Sequence, residues 1–121
     1  MQDVPHVVNV LKGTNWVKID GKVTRRTDAK YLPSGELMAE LTLAFNQTMM
    51  NQEAVGYIDV VAFGPLAEKI ASKMKVGQSI RVLGNLWSRR YRHRTGTVIC
   101  ETKMVGKKIN LSTQANLTRR K

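Results

Sequence analysis

The stretch that decides the fold is Tyr57-Ile58-Asp59-Val60-Val61-Ala62-Phe63-Gly64-Pro65-Leu66-Ala67-Glu68. Its first seven residues are β-branched, aromatic or small and carry one charge, which reads as an extended strand. Gly64-Pro65 stops the strand, and Pro65 is suited to the first position of a helix, where its missing N–H costs nothing. Leu66, Ala67, Ile70, Ala71 and Met74 then recur at helical spacing, so one short amphipathic helix follows and ends before Gly77. Within the strand, Tyr57 and Phe63 share one parity while Ile58, Val60 and Ala62 share the other. One of these two faces must be the core.

On either side of this unit the chain repeats an extended run followed by turn chemistry. Upstream, Trp16 to Thr24 places Val17, Ile19 and Val23 on one face and Lys18, Asp20 and Lys22 on the other, with Gly21 where a barrel wall can bend. Leu32-Pro33-Ser34-Gly35 closes a loop. Glu36 to Phe45 alternates Leu37, Ala39, Leu41, Leu43 and Phe45 with more polar neighbours, which favours the core for Phe45 as well. Asn46 to Gly56 is polar and reads as a hairpin loop, with Met49-Met50 an oddity inside it. Downstream, Ser79 to Trp87 sets Ile80, Val82, Gly84 and Leu86 against Arg81, Leu83, Asn85 and Trp87. Ser88 to Gly96 reads as a basic hairpin tip, and a last run extends from Thr97 towards Leu111 with Gly106 as a bulge. The expected fold is therefore all-β: a five-stranded OB-fold barrel with one short helix between strands three and four. Residues 1–14 form an N-terminal extension, 15–111 the barrel domain, and 112–121 a basic tail.

Charge narrows the function. Residues 1–68 hold six basic and eight acidic side chains, whereas residues 69–121 hold fourteen basic and one acidic, Glu101. The net charge is +11, and so one-sided a field favours a polyanionic partner. No apolar run approaches the length of a membrane helix, and no basic amphipathic helix points to a lipid surface. The start, Met1-Gln2-Asp3-Val4-Pro5-His6, lacks the regions of a signal peptide. One cysteine, Cys100, permits no internal disulfide and gives no zinc-ligand spacing, so a reducing, cytoplasmic setting is expected. His6 and His93 have no acid or thiol near them in sequence, the nine acids show no paired spacing, and no phosphate-cradling loop occurs. Cys100 reads as a small packed residue rather than a nucleophile. An enzyme, a metal site and a bound cofactor are not expected.

The order of the pieces resembles the bacterial single-stranded DNA-binding protein family. Val17-Lys18-Ile19-Asp20-Gly21, Tyr31-Leu32-Pro33-Ser34-Gly35, Leu41-Thr42-Leu43-Ala44, Val60-Val61-Ala62-Phe63-Gly64 with Leu66-Ala67-Glu68, Val76-Gly77-Gln78-Ser79 and Val82-Leu83-Gly84-Asn85-Leu86 carry the resemblance, from Asn15 to about Leu111. It implies that the Tyr57/Phe63 face takes the bases and that Tyr91 is a further stacking ring. The family's remaining aromatic site falls on Met49, which lacks a π-face. The family position of Trp16 is usually polar, so that ring is equally suited to a subunit contact. Trp87, flanked by arginines and facing away from Ile80 and Val82, suits stacking. Single strands are held by rings under the bases and cations along the phosphates. The cations expected to do this are foremost Arg89, Arg90, Arg92 and Arg94, then Lys18, Lys22, Arg25, Arg26, Lys73, Lys75 and Arg81.

These expectations converge on sequence-tolerant binding of single-stranded DNA in replication, recombination or repair, by a homo-oligomer, with a tetramer favoured over a dimer. The rivals are a primosomal or mobile-element accessory protein acting through replication enzymes, and an RNA-binding OB domain. Val4 to Leu11 is apolar enough to support a subunit contact. The resemblance also implies an acidic C-terminal tip, whereas the last residues here are Thr118-Arg119-Arg120-Lys121. Deleting Ser112 to Lys121 is therefore expected to weaken binding modestly.

Overall fold

The computed structural model describes residues 14–111. The N-terminal segment with Val4 to Leu11, and the tail from Ser112, lie outside the described residues. In chain order the elements are β1 (Val17–Arg26), β2 (Lys30–Tyr31), β3 (Leu37–Met49), β4 (Gln52–Phe63), α1 (Pro65–Lys73), β5 (Ser79–Arg92) and β6 (Val98–Leu111). Apart from the two-residue β2, these are five long strands with one helix between the third and fourth.

The sheet runs β1-β5-β6-β4-β3-β2 and closes because β1 also pairs with β3. The first half of β1, Val17 to Lys22, is antiparallel to β5, and the second half, Lys22 to Arg26, is antiparallel to β3. Gly21 sits where the strand changes partner. A Cβ there would collide with the carbonyl oxygen of Ala44 and come within 2.8 Å of the Leu43 Cγ, so only glycine lets the wall turn this tightly. Among the described residues, the one parallel contact joins Val60–Val61 of β4 to Met104–Val105 of β6. An OB-fold results.

On β3 the buried face is the one expected from alternation, and on β4 it is the Val60/Ala62 face, a choice that alternation leaves open and the resemblance implies. Val23, Ala39, Leu41, Leu43, Val60, Ala62, Ile80, Val82 and Met104 have no exposed surface. Helix α1 closes the core with Ala67, Ile70 and the Met74 that caps it. Gly64 enters the helix at φ 64° and ψ −137°, a conformation open to glycine and avoided by other residues. In β6 the register skips Lys107, so that Met104 and Gly106 before it and Ile109 after it all face inward.

Four local expectations are corrected. Asn46 to Gly56 is not a loop. β3 and β4 continue through it as a ladder to the Met49–Gln52 pair, joined by Met50 and Asn51 at φ 51° and 67°. This is the two-residue turn with both central residues left-handed that suits a twisted hairpin. Polar residues mislead here because both faces of the arm are wet. Similarly, Arg89 to Arg92 are not at a tip, because β5 runs to Arg92 and the turn occupies His93 to Thr97. Finally, Cys100 is exposed on the β6 arm rather than packed. Phe45 lies half-buried, its ring over Gly56, instead of joining the buried cluster.

Candidate nucleic-acid interface

Val60 and Ala62 are fully buried, so strand alternation turns Tyr57, Asp59, Val61 and Phe63 to the outside of β4. Cross-strand pairing continues this outer face on both sides. On β3, Met38 lies beside Phe63, Glu40 beside Val61, Thr42 beside Asp59 and Ala44 beside Tyr57. On β6, Val105 lies beside Val61, preceded on the same parity by Lys103 and Glu101. Their partners on β5 are Asn85, Trp87 and Arg89, and Tyr91 follows opposite Ile99.

Because β4 and β6 are parallel, Tyr57 and Glu101 each stand four residues before the Val61–Val105 pair. The Tyr57 ring and the Trp87-Arg89-Tyr91 column therefore lie toward the same end of the barrel. Beyond Val60 the two strands no longer pair, and each goes into its own hairpin arm, β3–β4 or β5–β6. The arms flank a cleft with rings on both sides. Tyr57 is 67% exposed, Trp87 45% and Tyr91 37%. Phe63, at the other end of β4, is only half-exposed.

The cleft floor is a set of ion pairs. Glu40 reaches across β4 to Lys103, Oε2 to Nζ 2.7 Å, and this bridge covers Val61, which is 8% exposed although it points outward. Lys103 also lies 3.8 Å from Glu101, whose other oxygen accepts from Nε of Arg89 at 2.8 Å. Thr42 donates to Asp59 at 2.6 Å, and Arg25 stands 3.6 Å from the same carboxylate. The hydrogen bond from Arg89 holds the Glu101 carboxyl below its ordinary range, partly opposed by desolvation. The hydrogen bond to Glu40 raises Lys103. Sequence reading missed Lys103, Glu40 and Asp59. Their alternation with Val61 and Val105 was visible, but not the parallel contact that brings them together.

The other predicted cations fall elsewhere. Arg81 is directly opposite Asp20 on the β1–β5 wall and donates to both its oxygens, from Nε at 2.7 Å and Nη2 at 2.9 Å. Lys18 and Lys22 share that wall, on the parity of Asp20. Arg90 and Arg92 are on the opposite side of the β5–β6 arm from Trp87 and Tyr91, and Arg92 donates to the Gly96 carbonyl at 3.3 Å. Arg94 is in the turn beyond them. Arg26 stands 3.5 Å from Asp28. Lys73 ends α1 and Lys75 precedes the start of β5, about 26 Å along that strand from Trp87 at roughly 3.3 Å per residue. Among the described residues, Lys18, Lys22, Arg90, Arg92, Arg94, Lys73 and Lys75 form no ion pair. Trp16 is exposed, and its neighbour Asn15 extends the edge by exchanging hydrogen bonds with the Leu86 backbone. Met49 is exposed at the end of the β3–β4 arm. No group of three or more His, Cys, Asp or Glu side chains among the described residues is arranged to hold a metal ion. No helix among them is long and apolar enough to cross a membrane.

Comparison with known proteins agrees with this geometry. Residues 14–112 match the model of the single-strand binding protein family. The chain is 31% identical over 98 residues to single-stranded DNA-binding protein 2 of Listeria monocytogenes, covering 78% of this chain and 61% of that protein. It is 30% identical over 94 residues to the single-stranded DNA-binding protein of Streptococcus mutans, covering 75% and 57%. The corresponding Streptococcus pneumoniae protein is 31% identical over 100 residues, covering 80% and 64%. The chain thus spans about three fifths of the length of these curated relatives. With the family's pattern running through every strand of the closed barrel and both arms, the chain belongs to the single-strand binding protein family.

Proposed function

We propose that this protein binds single-stranded DNA without marked sequence preference, in replication, recombination or repair. The observation that carries the reading is the outer face between the two arms, with the exposed Tyr57 ring on one and the exposed Trp87 and Tyr91 rings on the other. Unpaired bases offer π-faces to such rings, and each stacked base contributes about 1–3 kcal/mol. Arg90, Arg92 and Arg94 supply cations along the β5–β6 arm, and Lys18 and Lys22 along the barrel wall, to follow the phosphates. Arg25, Arg81 and Arg89 must exchange a carboxylate for a phosphate to join them. Lys73 and Lys75, at the far end of β5, serve a strand that continues around the barrel. Phe63 extends the ring path along β4. Neither a cofactor nor a catalytic step enters this mechanism.

One OB domain accommodates only about 4–16 nucleotides. We therefore assign the working form to a homo-oligomer, a tetramer before a dimer, acting in the cytoplasm on nucleoid DNA alongside replication proteins. Fluorescence anisotropy with labelled dT oligonucleotides, against duplex DNA and RNA of equal length, tests the ligand. The single DNA strand should bind tightest, with affinity falling as salt rises. Equal or tighter binding to duplex removes the stacking half of the mechanism. A monomeric mass by light scattering at micromolar concentration contradicts the assembly.

A further inference from the structure

On the outer column of the β5 arm, Trp87, Arg89 and Tyr91 follow one another at about 6.6 Å per step. The guanidinium carbon of Arg89 lies 4.5 Å from the Tyr91 ring centroid and 5.7 Å from that of Trp87. Its Nε donates at 2.8 Å to Glu101, the residue directly opposite on β6. Glu101 is the one acid of residues 69–121. A planar guanidinium stacks on aromatic faces much as a base does, and this one lies where a base entering between the two rings would have to go.

We propose that Glu101 is a positioning residue that parks Arg89 between Trp87 and Tyr91, so that the free protein fills its own stacking step until a phosphate draws the arginine away. The inference rests on the single-strand reading above and deepens it. When a strand arrives, Arg89 exchanges one anion for another, and Glu101 keeps Lys103, 3.8 Å away, as its counter-charge. The ring face is then free for the base attached to that phosphate. Removing the Glu101 charge should release Arg89 in advance and make binding tighter, the reverse of what losing a member of the binding surface does.

The test compares wild type with Glu101→Gln, Arg89→Gln and the double variant in dT-oligonucleotide titrations across salt. Glu36→Gln, an equal charge change on the exposed turn before β3, is the control. Glu101→Gln should tighten binding about two- to fivefold more than Glu36→Gln, the range of an exposed ion pair. Its log–log salt slope should stay within the change that Glu36→Gln gives, because Arg89 meets the same phosphate in both proteins and Lys103 remains beside residue 101. In the Arg89→Gln background the same change should have no effect beyond the control. Glu101→Thr, suited to a strand, provides the same readout should glutamine disturb the fold. Weaker binding by a folded Glu101→Gln protein, a gain matched by the control, or a gain that persists without Arg89 each overturns the proposal. A wild-type protein that ignores dT altogether fails the functional reading itself, a different result from wild-type binding that Glu101→Gln leaves unchanged.

Discussion

Strand β5 is two structures in one chain segment. From Ser79 to Gly84 it is a barrel wall, with Ile80 and Val82 fully buried and Arg81 locked to Asp20 across the β1 pairing. From Leu86 to Arg92 it is an arm wet on both faces, with Leu86, Trp87 and Tyr91 all substantially exposed. The alternation is the same in both halves, but its consequence differs. In the wall, one face has a core to join, and stability follows the buried side. In the arm, neither side is buried against a core, so the large side chains are available to a ligand. Substitutions in the wall should therefore move stability, and substitutions in the arm should move affinity.

The largest break in that division would come from the core. Leu41→Ala should cost about 2–5 kcal/mol of folding stability, because Leu41 is fully buried in a closed barrel that has little room to collapse around the lost atoms. Chemical denaturation measures this, and the folded fraction should retain its affinity for dT. Next come the rings. Tyr57→Ala and Tyr91→Ala should each lose about 1–3 kcal/mol of binding while the melting temperature stays near that of wild type. A fall in melting temperature comparable to that of Leu41→Ala would place either ring on the structural side of the division. Phe63→Ala sharpens the boundary, since Phe63 is half-buried beside Met38 and should lose some of each.

A smaller effect separates the arginines. Arg81 has both fork nitrogens committed to Asp20, whereas Arg90 has no ion-pair partner among the described residues. Arg90→Ala should therefore weaken dT binding and flatten the salt slope by about 0.7. Arg81→Ala should do less to the slope and more to the melting temperature. A larger loss of affinity from Arg81→Ala than from Arg90→Ala would make the barrel wall, rather than the arm, the main course of the strand.

The same division explains what could be read in the sequence. The wall was legible because burial imposes period two, so Leu37 to Leu43 and Ile80 to Val82 show their alternation, and Gly64-Pro65 punctuates strand and helix, although Val60-Val61-Ala62, apolar on both parities, leaves its face open. The arms were partly opaque for the converse reason. Asn46 to Gly56 looked like a loop because a ladder with water on both sides has no apolar side to show. The arginines looked like a tip cluster because strand pairing, which puts Arg89 with Trp87 and Tyr91 but turns Arg90 and Arg92 away, leaves no mark in a run of cations. The family resemblance pointed to Tyr57 and Tyr91, and only Trp87 was suggested by its own neighbours, the flanking arginines. The opposition of Glu101 to Arg89, and the span from Glu40 to Lys103, depend on register between distant strands, and no local pattern encodes that.

The smallest effect concerns the two carboxylate–arginine pairs, one on the wall and one on the arm. The hydrogen bond from Arg81 lowers the Asp20 carboxyl, against a smaller opposing push from burial, and Arg89 does the same for Glu101. A carboxyl whose value is lower in the folded chain favours folding while ionised. That contribution is fully present above the ordinary carboxylate range and is lost as pH falls below about 4, through the lowered folded value. On the wall the lost pair joins two strands at the seam where β1 changes partner. Asp20→Asn should therefore flatten the acid limb of a melting-temperature profile and lower the plateau at neutral pH. On the arm the pair joins β5 to β6 within a long continuous ladder, away from any change of partner, and Arg89 is the more exposed of the two arginines. Glu101→Gln should leave the neutral plateau near wild type. Thermal melts from pH 7 to pH 3 on both variants measure the contrast. If Glu101→Gln lowered the neutral melting temperature as far as Asp20→Asn does, the arm would owe its shape to that pair and would belong with the wall.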